Sequence, residues 1–391
     1  MLTKLPDCLK RPLPAGLALI TGLLAGCSTA NLHYQPERPH HTPAGFRNAS
    51  PDFVLPTLGE LARWNLERWL GPEVVHDLSQ VPRAEPDRAF LHANRSEDSV
   101  TWLGHATLLV QTDGLNILTD PIFSERASPL SWLGPKRLLP PALTVAELPA
   151  IDYVLISHNH YDHLDRASIA ALEQAGQPIY LVPLGVERWF AEQGIPAARV
   201  KALDWWDSWQ SGATQFAFVP AQHWSKRALT DTLATLWGGW VIRRMATKTA
   251  DKSPATPHAA PASPAATSRQ SATAPGFSLF FAGDTGYSPA YANQLKEIAR
   301  RYGPFDVAAL PIGAYEPRWF MVQQHVNPDD AVRMHQDLGQ PWSFGIHWGS
   351  FPLTSEPVHQ AADDLALARA RHGVSASRFV LLPQGETRRG R

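Results

Sequence analysis

Ile156-Ser157-His158-Asn159-His160-Tyr161-Asp162-His163 carries three imidazoles and a carboxylate within six positions, in the spacing H-x-H-x-D-H. The run leading into it, Asp152-Tyr153-Val154-Leu155-Ile156-Ser157, is apolar and β-branched, which suits a buried strand. The cluster therefore belongs to the loop that leaves a strand end, where binding residues gather. Side chains alternate along an extended backbone, so His158 and His160 can point the same way while Asp162 and His163 follow as the chain turns. One short loop can then ligate two neighbouring metal ions, and two ions about 3.5–4 Å apart can hold a hydroxide between them and clamp an in-line displacement. A lone loop histidine is commonly a hydrogen-bonded surface or core residue. Four ligand-type side chains in six positions are different, because burying them unpaired is costly.

A two-metal site needs more ligands than one loop offers, and three later positions fit. His223 follows the apolar run to Val219, Asp284 lies between Gly283 and Thr285-Gly286 after Phe280-Phe281, and His347 follows Phe344-Gly345-Ile346. A carboxylate such as Asp284 can bridge two cations with its two oxygens, which an imidazole cannot do.

The 391 residues suffice for one large domain or two modest ones, and 44% hydrophobic against 18% charged residues describes a globular chain with a core. A net charge of −1 and a pI near 7.0 give no bias towards nucleic acid. Short strand-like runs (Val100–Leu103, Thr107–Gln111, Leu115–Thr119, Ile179–Pro183) alternate with helical ones (Ala167–Gln174, Glu356–Arg371), the pattern of a layered α/β domain. Residues 247–275 interrupt it with Ala, Pro, Ser and Thr, a composition that cannot bury a core and reads as a disordered insert in a hairpin between Trp240-Val241-Ile242 and Leu279-Phe280-Phe281.

The N-terminus reads as an export signal over residues 1–26. Lys4, Lys10 and Arg11 precede an uncharged apolar stretch too short to span a bilayer, which ends in Leu24-Ala25-Gly26-Cys27. This resembles the lipobox of bacterial lipoproteins, with Cys27 lipidated; the other reading is an ordinary cleavage site with an incidental Cys. Ser28 after it matches an outer-membrane address in a Gram-negative-type cell, facing the periplasm. The only other cysteine, Cys8, lies in the segment to be removed, so any metal site must use His and carboxylate. Residues 27–51 read as a tether and 52–98 as an N-terminal extension whose run Leu58–Leu70 is helical. Leu58, Leu61, Ala62, Leu66, Trp69 and Leu70 share a face of that helix, which is either docked on a core or turned to lipid.

Taken in order, H-x-H-x-D-H, His223, Asp284 and His347 resemble the metallo-β-lactamase superfamily, an αββα sandwich with metals at its strand ends. Within it the chain is most similar to the N-acyl-phosphatidylethanolamine-hydrolysing phospholipase D family. The similarity is carried by Gly104-His105-Ala106-Thr107, Thr119-Asp120-Pro121-Ile122-Phe123-Ser124, Gln222-His223-Trp224, Gly283-Asp284-Thr285-Gly286-Tyr287, Ile346-His347-Trp348-Gly349 and above all Tyr315-Glu316-Pro317-Arg318-Trp319-Phe320-Met321. It spans about residues 99–387 and defines a catalytic domain over 99–391. The lipoprotein-like start, the 247–275 insert and a different N-terminal region depart from the family pattern.

The resemblance implies that His158, His160 and His223 hold one zinc ion, Asp162, His163 and His347 a second, and Asp284 both; a His and carboxylate set of this kind also suits iron or manganese. It implies catalytic roles for Asp162, Asp284 and His325, with Gln324, His325 and Tyr161 on the substrate side. His325 has a second reading, as the cap of a helix starting near Asn327. Asp120 and His105 are expected to orient ligands from behind. Lys136 and Arg137 read either as a head-group site or as a solvated pair. The implied activity is hydrolysis of an N-acyl-phosphatidylethanolamine to phosphatidic acid and N-acylethanolamine, with a phospholipid as substrate and a membrane as partner. The rivals are hydrolysis of a lactone or β-lactam by the same metal pair, a nuclease, and a non-catalytic lipid- or zinc-binding lipoprotein.

Overall fold

The computed structural model describes residues 30–245 and 275–390. The signal segment, Cys27 and nearly all of the 247–275 insert lie outside the described residues.

A two-stranded hairpin, β1 (His41–Thr42) and β2 (Gly45–Phe46), comes first. Helix α1 (Leu58–Leu70) follows, started by a capping box in which Thr57 accepts from the Glu60 amide and Glu60 accepts from the Thr57 amide. After α2 (Arg88–Ala93) come β3 (Ser99–Gly104), β4 (Thr107–Thr112), β5 (Leu115–Thr119) and β6 (Tyr153–Leu155). Helix α3 (Arg166–Ala175) and α4 (Glu187–Glu192) flank β7 (Ile179–Pro183), and β8 (Val200–Leu203) closes this half. The second half holds β9 (Ser208–Ser211), β10 (Thr214–Val219), β11 (Gly239–Met245), β12 (Pro275–Phe281), α5 (Pro289–Tyr302), β13 (Val307–Pro311), α6 (Arg318–Met321) and α7 (Pro328–Asp337). It ends with β14 (Trp342–Ile346), α8 (Gln360–His372), β15 (Phe379–Val380) and β16 (Thr387–Arg389).

Two seven-stranded sheets result, ordered β16-β3-β4-β5-β6-β7-β8 and β15-β14-β13-β12-β11-β10-β9. Alternation along the strands builds the layers. In the first sheet Val100, Trp102, Leu108, Val110, Ile117 and Leu155 face the second sheet's Phe216, Phe218, Trp240 and Ile242 in one core, and Tyr153 meets Phe216 across it at 4.9 Å. The opposite residues, Leu109, Leu118, Val154, Tyr180 and Val182, pack outward against Ile169 and Leu172 of α3 and Phe190 of α4. Helices α5, α7 and α8 bring Leu295, Val332 and Leu365 to the second sheet. The architecture is the expected αββα sandwich.

Each sheet has a parallel part, β5 to β8 and β12 to β15. The loops after β5, β6, β12 and β14 carry Asp120, the His158–His163 run, Asp284 and His347, so the carboxyl ends of parallel strands converge, the place where α/β sheets bind ligands. Strands β11 and β12 pair antiparallel, as expected of strands flanking an inserted hairpin loop.

One expectation changes, and one open choice closes. The chain from residue 30 does not run free as a tether: His40, His41, Phe46 and Ser50 are buried against the domain. The sequence there lacks periodicity because it is a clasp of short turns and not because it is unfolded. Helix α1 is not a docked core helix either. It contributes no buried residue, and Leu58 is 85% exposed. Among the described residues no helix is long and apolar enough to cross a membrane.

Candidate metal centre

Strand β6 delivers the His run, and Asp120, from the end of β5, fastens it. Asp120 Oδ1 accepts from the Ser157 amide at 2.7 Å, while Oδ2 accepts from Ser157 Oγ at 2.6 Å and lies 2.7 Å from His163 Nδ1. Ser157 Oγ is in turn 2.9 Å from His158 Nδ1. Both rings therefore turn their Nε2 atoms into the site. Non-glycine residues with positive φ gather here, namely His105 (53°), Asp120 (35°), Ala314 (63°) and His347 (61°). Such backbone is costly and persists where the surroundings over-determine it, typically at functional sites. Gly283 (φ 61°) lets the Asp284 loop press against β6: a Cβ there would stand 2.8 Å from Ser157 Cβ.

The candidate ligands form two groups. In one, His158 Nε2 is 2.9 Å and His223 Nε2 3.3 Å from His160 Nδ1. Two nitrogens bound to one tetrahedral zinc lie about 3.3 Å apart, given zinc–nitrogen bonds of about 2.0–2.1 Å. In the other, Asp162 Oδ2 lies 3.3 Å from His163 Nε2, 3.2 Å from His347 Nε2 and 3.0 Å from His105 Nε2. Asp284 stands between them. Its Oδ2 is 3.1 Å from His163 Nε2 and 3.9 Å from both His158 and His223, and its Oδ1 is 3.2 Å from His347 Nε2. His325 Nδ1 points at the same carboxylate from 3.8 Å. All seven expected ligands thus meet, and Asp120 and His105 stand behind them. Asn327, not His325, caps α7, accepting from the Asp330 amide.

The electrostatics suit a cation. Burial holds His158 well below its usual pKa, His160 at about 4, and His223, His325 and His105 at about 3, so these rings are neutral, the form that binds metal. Burial also opposes charge on His163 and His347, but facing carboxylates, Asp284 foremost, outweigh it, lifting His163 well above the usual value and His347 to about 9. Burial would raise Asp162 and Asp284, yet His163 and their other imidazole partners hold both well below the usual carboxylate range. His160 Nε2 and His325 Nδ1 are buried without a hydrogen-bond partner. Unpaired buried polar atoms around a carboxylate fit a site built for divalent ions.

Above the cluster lies a cleft of about 440 Å³. Asp162, His160, Asp284, Gln324 and His325 form its floor, and Leu55, Leu58, Leu61, Trp64, Phe320 and Met321 line its apolar walls. Trp64 stacks on Phe320 at 4.9 Å, so α1 is one wall of the cleft. Two larger cavities, of about 730 and 1060 Å³, hold none of the seven ligands. Tyr161 also lines the cleft, but its hydroxyl donates to the Arg227 carbonyl at 2.6 Å, with the Arg227 guanidinium 4.1 Å over its ring. Tyr161 is thus a packed wall.

Lys136 and Arg137 do not line this cleft. Arg137 donates to the carbonyls of Ser124 and Ile122 and lies over Phe351, a structural use of its charge. The lysine in the cleft is Lys226, which sequence reasoning passed over; its only signal was its place three residues after His223. Ser157 and Asn48 were also missed. Neither residue type stands out in a sequence, and both act through backbone or ring contacts that only the fold brings together.

The beta-lactamase superfamily domain matches residues 115–251 and 249–348. N-acyl-phosphatidylethanolamine-hydrolyzing phospholipase D 1 of Caenorhabditis elegans is 38% identical over 300 residues, covering 73% of this chain and 74% of that protein. The mitochondrial N-acyl-phosphatidylethanolamine-hydrolyzing phospholipase D of Saccharomyces cerevisiae is 33% identical over 261 residues, 66% of this chain and 48% of that protein. Among solved structures, an isothiocyanate hydrolase from Delia radicum gut bacteria superposes with a TM-score of 0.52 at 18% identity, over 74% of this chain and 98% of that one, a likeness of fold.

Proposed function

The chain belongs to the metallo-β-lactamase superfamily of metal-dependent hydrolases, and from that premise we propose that it is a phospholipase D-type phosphodiesterase acting on N-acyl-phosphatidylethanolamine-type lipids with two zinc ions. The observation that carries this reading is the join between a metal-ligand floor and apolar walls. A phosphodiester fits the floor, and the chains beside it fit Leu58, Leu61, Trp64, Phe320 and Met321. The names of the worm and yeast relatives support it.

His158, His160 and His223 would hold one ion, Asp162, His163 and His347 the other, and Asp284 both. When bound, such ions make water a nucleophile at neutral pH and offset the charge of a phosphoryl group. The water oxygen bonds to phosphorus as one of its O–H bonds breaks, the bond from phosphorus to the ethanolamine oxygen breaks, and the proton given up by the water passes to the leaving alcohol. Asp162, which lines the cleft beside His325, handles that proton. His325 is neutral, because burial holds its pKa near 3, so it orients the phosphate as a hydrogen-bonding group and not as a charge. Gln324, whose Oε1 is buried without a partner, offers the neighbouring polar contact. Lys226 is the side-chain cation for an anionic head group.

Membrane residence through lipidated Cys27, outside the described residues, is part of the same reading. It keeps the cleft on the surface that holds the substrate. Anchoring of this kind adds about 0.8 kcal/mol per buried methylene.

The test is an assay of N-acyl-phosphatidylethanolamine, phosphatidylethanolamine, an aryl phosphodiester and a β-lactam, with metal content measured alongside. Release of phosphatidic acid from the N-acyl lipid, lost on chelation and restored by zinc, is the expected result. Turnover of the aryl diester or β-lactam alone would remove the lipid substrate and leave the family intact. Substituting Trp64→Ala or Leu61→Asp in α1 should raise KM for the long-chain lipid about tenfold or more, since burying one large apolar side chain contributes roughly 1.5–3 kcal/mol. The kcat on a short aryl diester should stay unchanged. Equal effects on both substrates would mean that α1 shapes the metal floor and not a lipid wall.

A further inference from the structure

His223 is held from an unexpected direction. Its ring Nδ1 donates to the Gln324 carbonyl at 2.9 Å, which turns Nε2 towards His160 and Asp284. Its backbone is gripped by one side chain: the His223 amide donates to Asn48 Oδ1 at 3.0 Å, and Asn48 Nδ2 donates to the His223 carbonyl at 2.7 Å. A primary amide that takes both the N–H and the C=O of one residue does what a neighbouring strand would do. Here it replaces a strand for a loop just beyond the end of β10. His223 is fully buried, so without Asn48 both backbone groups would have to find other partners.

Asn48 comes from the segment that composition reads as a tether, 175 residues away in sequence. That segment is built to stay in place. Asp204 binds it with both oxygens, Oδ1 at 2.6 Å from His40 Nε2 and Oδ2 at 2.9 Å from His41 Nε2. The Phe46 amide donates to the Leu233 carbonyl at 2.8 Å, and the Phe46 ring is buried in the main core. Gly45 allows this approach, since a Cβ there would stand 2.2 Å from the Leu233 oxygen. Two residues beyond Phe46, Asn48 therefore arrives at His223 from a fixed platform.

We infer that Asn48 is a positioning residue of the metal centre, and that the docked segment before it is a working part of that centre. The inference rests on the reading of His223 as a metal ligand. Outer partners that orient metal ligands typically tune affinity by about 10–100-fold when removed, and Asn48 does so through the backbone and not through the ring.

The experiment uses the full chain as wild type, Asn48→Ala, Asn48→Asp and His223→Ala. Three quantities are read: metal per chain after dialysis, the rate of zinc transfer to a colorimetric chelator, and the visible spectrum of the cobalt-substituted protein. Asn48 is only partly buried, but its loss strips the buried His223 N–H and C=O of their partner, so the metal-free Asn48→Ala chain should melt somewhat lower than metal-free wild type, and the metal readouts are compared at a temperature where both are folded. In Asn48→Ala, zinc held by His223 should leave about 10–100-fold faster, with an altered cobalt spectrum. Asn48→Asp keeps the acceptor for the His223 amide and loses the donor to its carbonyl, so it should fall between Ala and wild type. Wild-type transfer rates and spectrum in Asn48→Ala, with metal lost in His223→Ala, would overturn the positioning role alone. Full metal content in His223→Ala would overturn the ligand reading and this inference with it.

Discussion

Replacing Asp284 by asparagine should lower kcat/KM for the proposed phosphodiester hydrolysis by at least about 10³-fold while leaving the fold intact. Asp284 is 3% exposed and faces five imidazoles, with His158, His163, His223 and His325 at 3.1–3.9 Å from Oδ2 and His347 at 3.2 Å from Oδ1. Asp162 Oδ2 contacts His105, His163 and His347 but is not in the His158, His160, His223 group, and Asp120, which lies against both His158 and His163, meets His163 at Nδ1, the nitrogen turned away from the site. Asparagine keeps the volume and removes the charge. Its NH2 would also face ring nitrogens whose lone pairs a metal needs. Transition-state charge stabilisation by bound metal is worth several kcal/mol, and each 1.36 kcal/mol is about tenfold in rate, so losing most of it gives a fall of this order. Metal content per chain should drop in parallel. The metal-free variant should melt lower than metal-free wild type, because Asp284 is the main carboxylate facing charged His163 and His347, and removing one partner of a buried pair leaves the other charge uncompensated. Full metal content with more than a tenth of wild-type activity would refute the bridging role.

The sequence made the metal floor legible and left its surroundings dark, for physical reasons that differ by residue. His158, His160, Asp162 and His163 stand out because ligand-type side chains rarely crowd one strand end, and His223, Asp284 and His347 because each follows an apolar run. The layers were legible in the alternation of β3 to β7, whose two faces fill two different clusters. Helix α1 was legible as amphipathic, but its partner was not. Trp64, absent from the expected apolar face, is the residue that stacks on Phe320. Arg137 misled because a basic pair in sequence does not reveal whether its charge meets solvent, substrate or backbone carbonyls. The segment around His40 to Asn48 misled most. Its order comes from Asp204, Leu233 and His223, all more than 150 residues away, and no local pattern encodes such contacts.

The second large effect is expected at Asp120, which touches no substrate. Three donors converge on its fully buried carboxylate: the Ser157 amide, Ser157 Oγ and His163 Nδ1. Burial pushes its pKa up, with the His163 charge and the Ser157 hydrogen bonds opposing, so the group holds its place through its partners and not through solvation. In Asp120→Asn one oxygen becomes an NH2. If that amide nitrogen faces Ser157, two donors collide beside the loop that carries His158. If it faces His163, the ring must accept at Nδ1 and carry its proton on Nε2, the atom aimed at Asp162 and Asp284. A protonated Nε2 cannot bind a cation. The second arrangement is favoured, because it keeps the bond from the Ser157 amide and the Ser157 hydroxyl can turn to accept; it should weaken metal binding at the His163 side by about 10–100-fold and cost about 1–3 kcal/mol of stability through an unsatisfied buried group. Metal titration separates this from the Asn48 effect. Asp120→Asn should release first the ion that Asp162, His163 and His347 are proposed to hold, whereas Asn48→Ala should release the one proposed for His158, His160 and His223. If Asp120→Asn binds both equivalents with wild-type affinity, His163 does not depend on the tautomer that Asp120 enforces, and the pair is a folding contact only. If both variants lose the same ion, the two ligand groups do not form separate sites, and the division of the seven ligands between two metals fails.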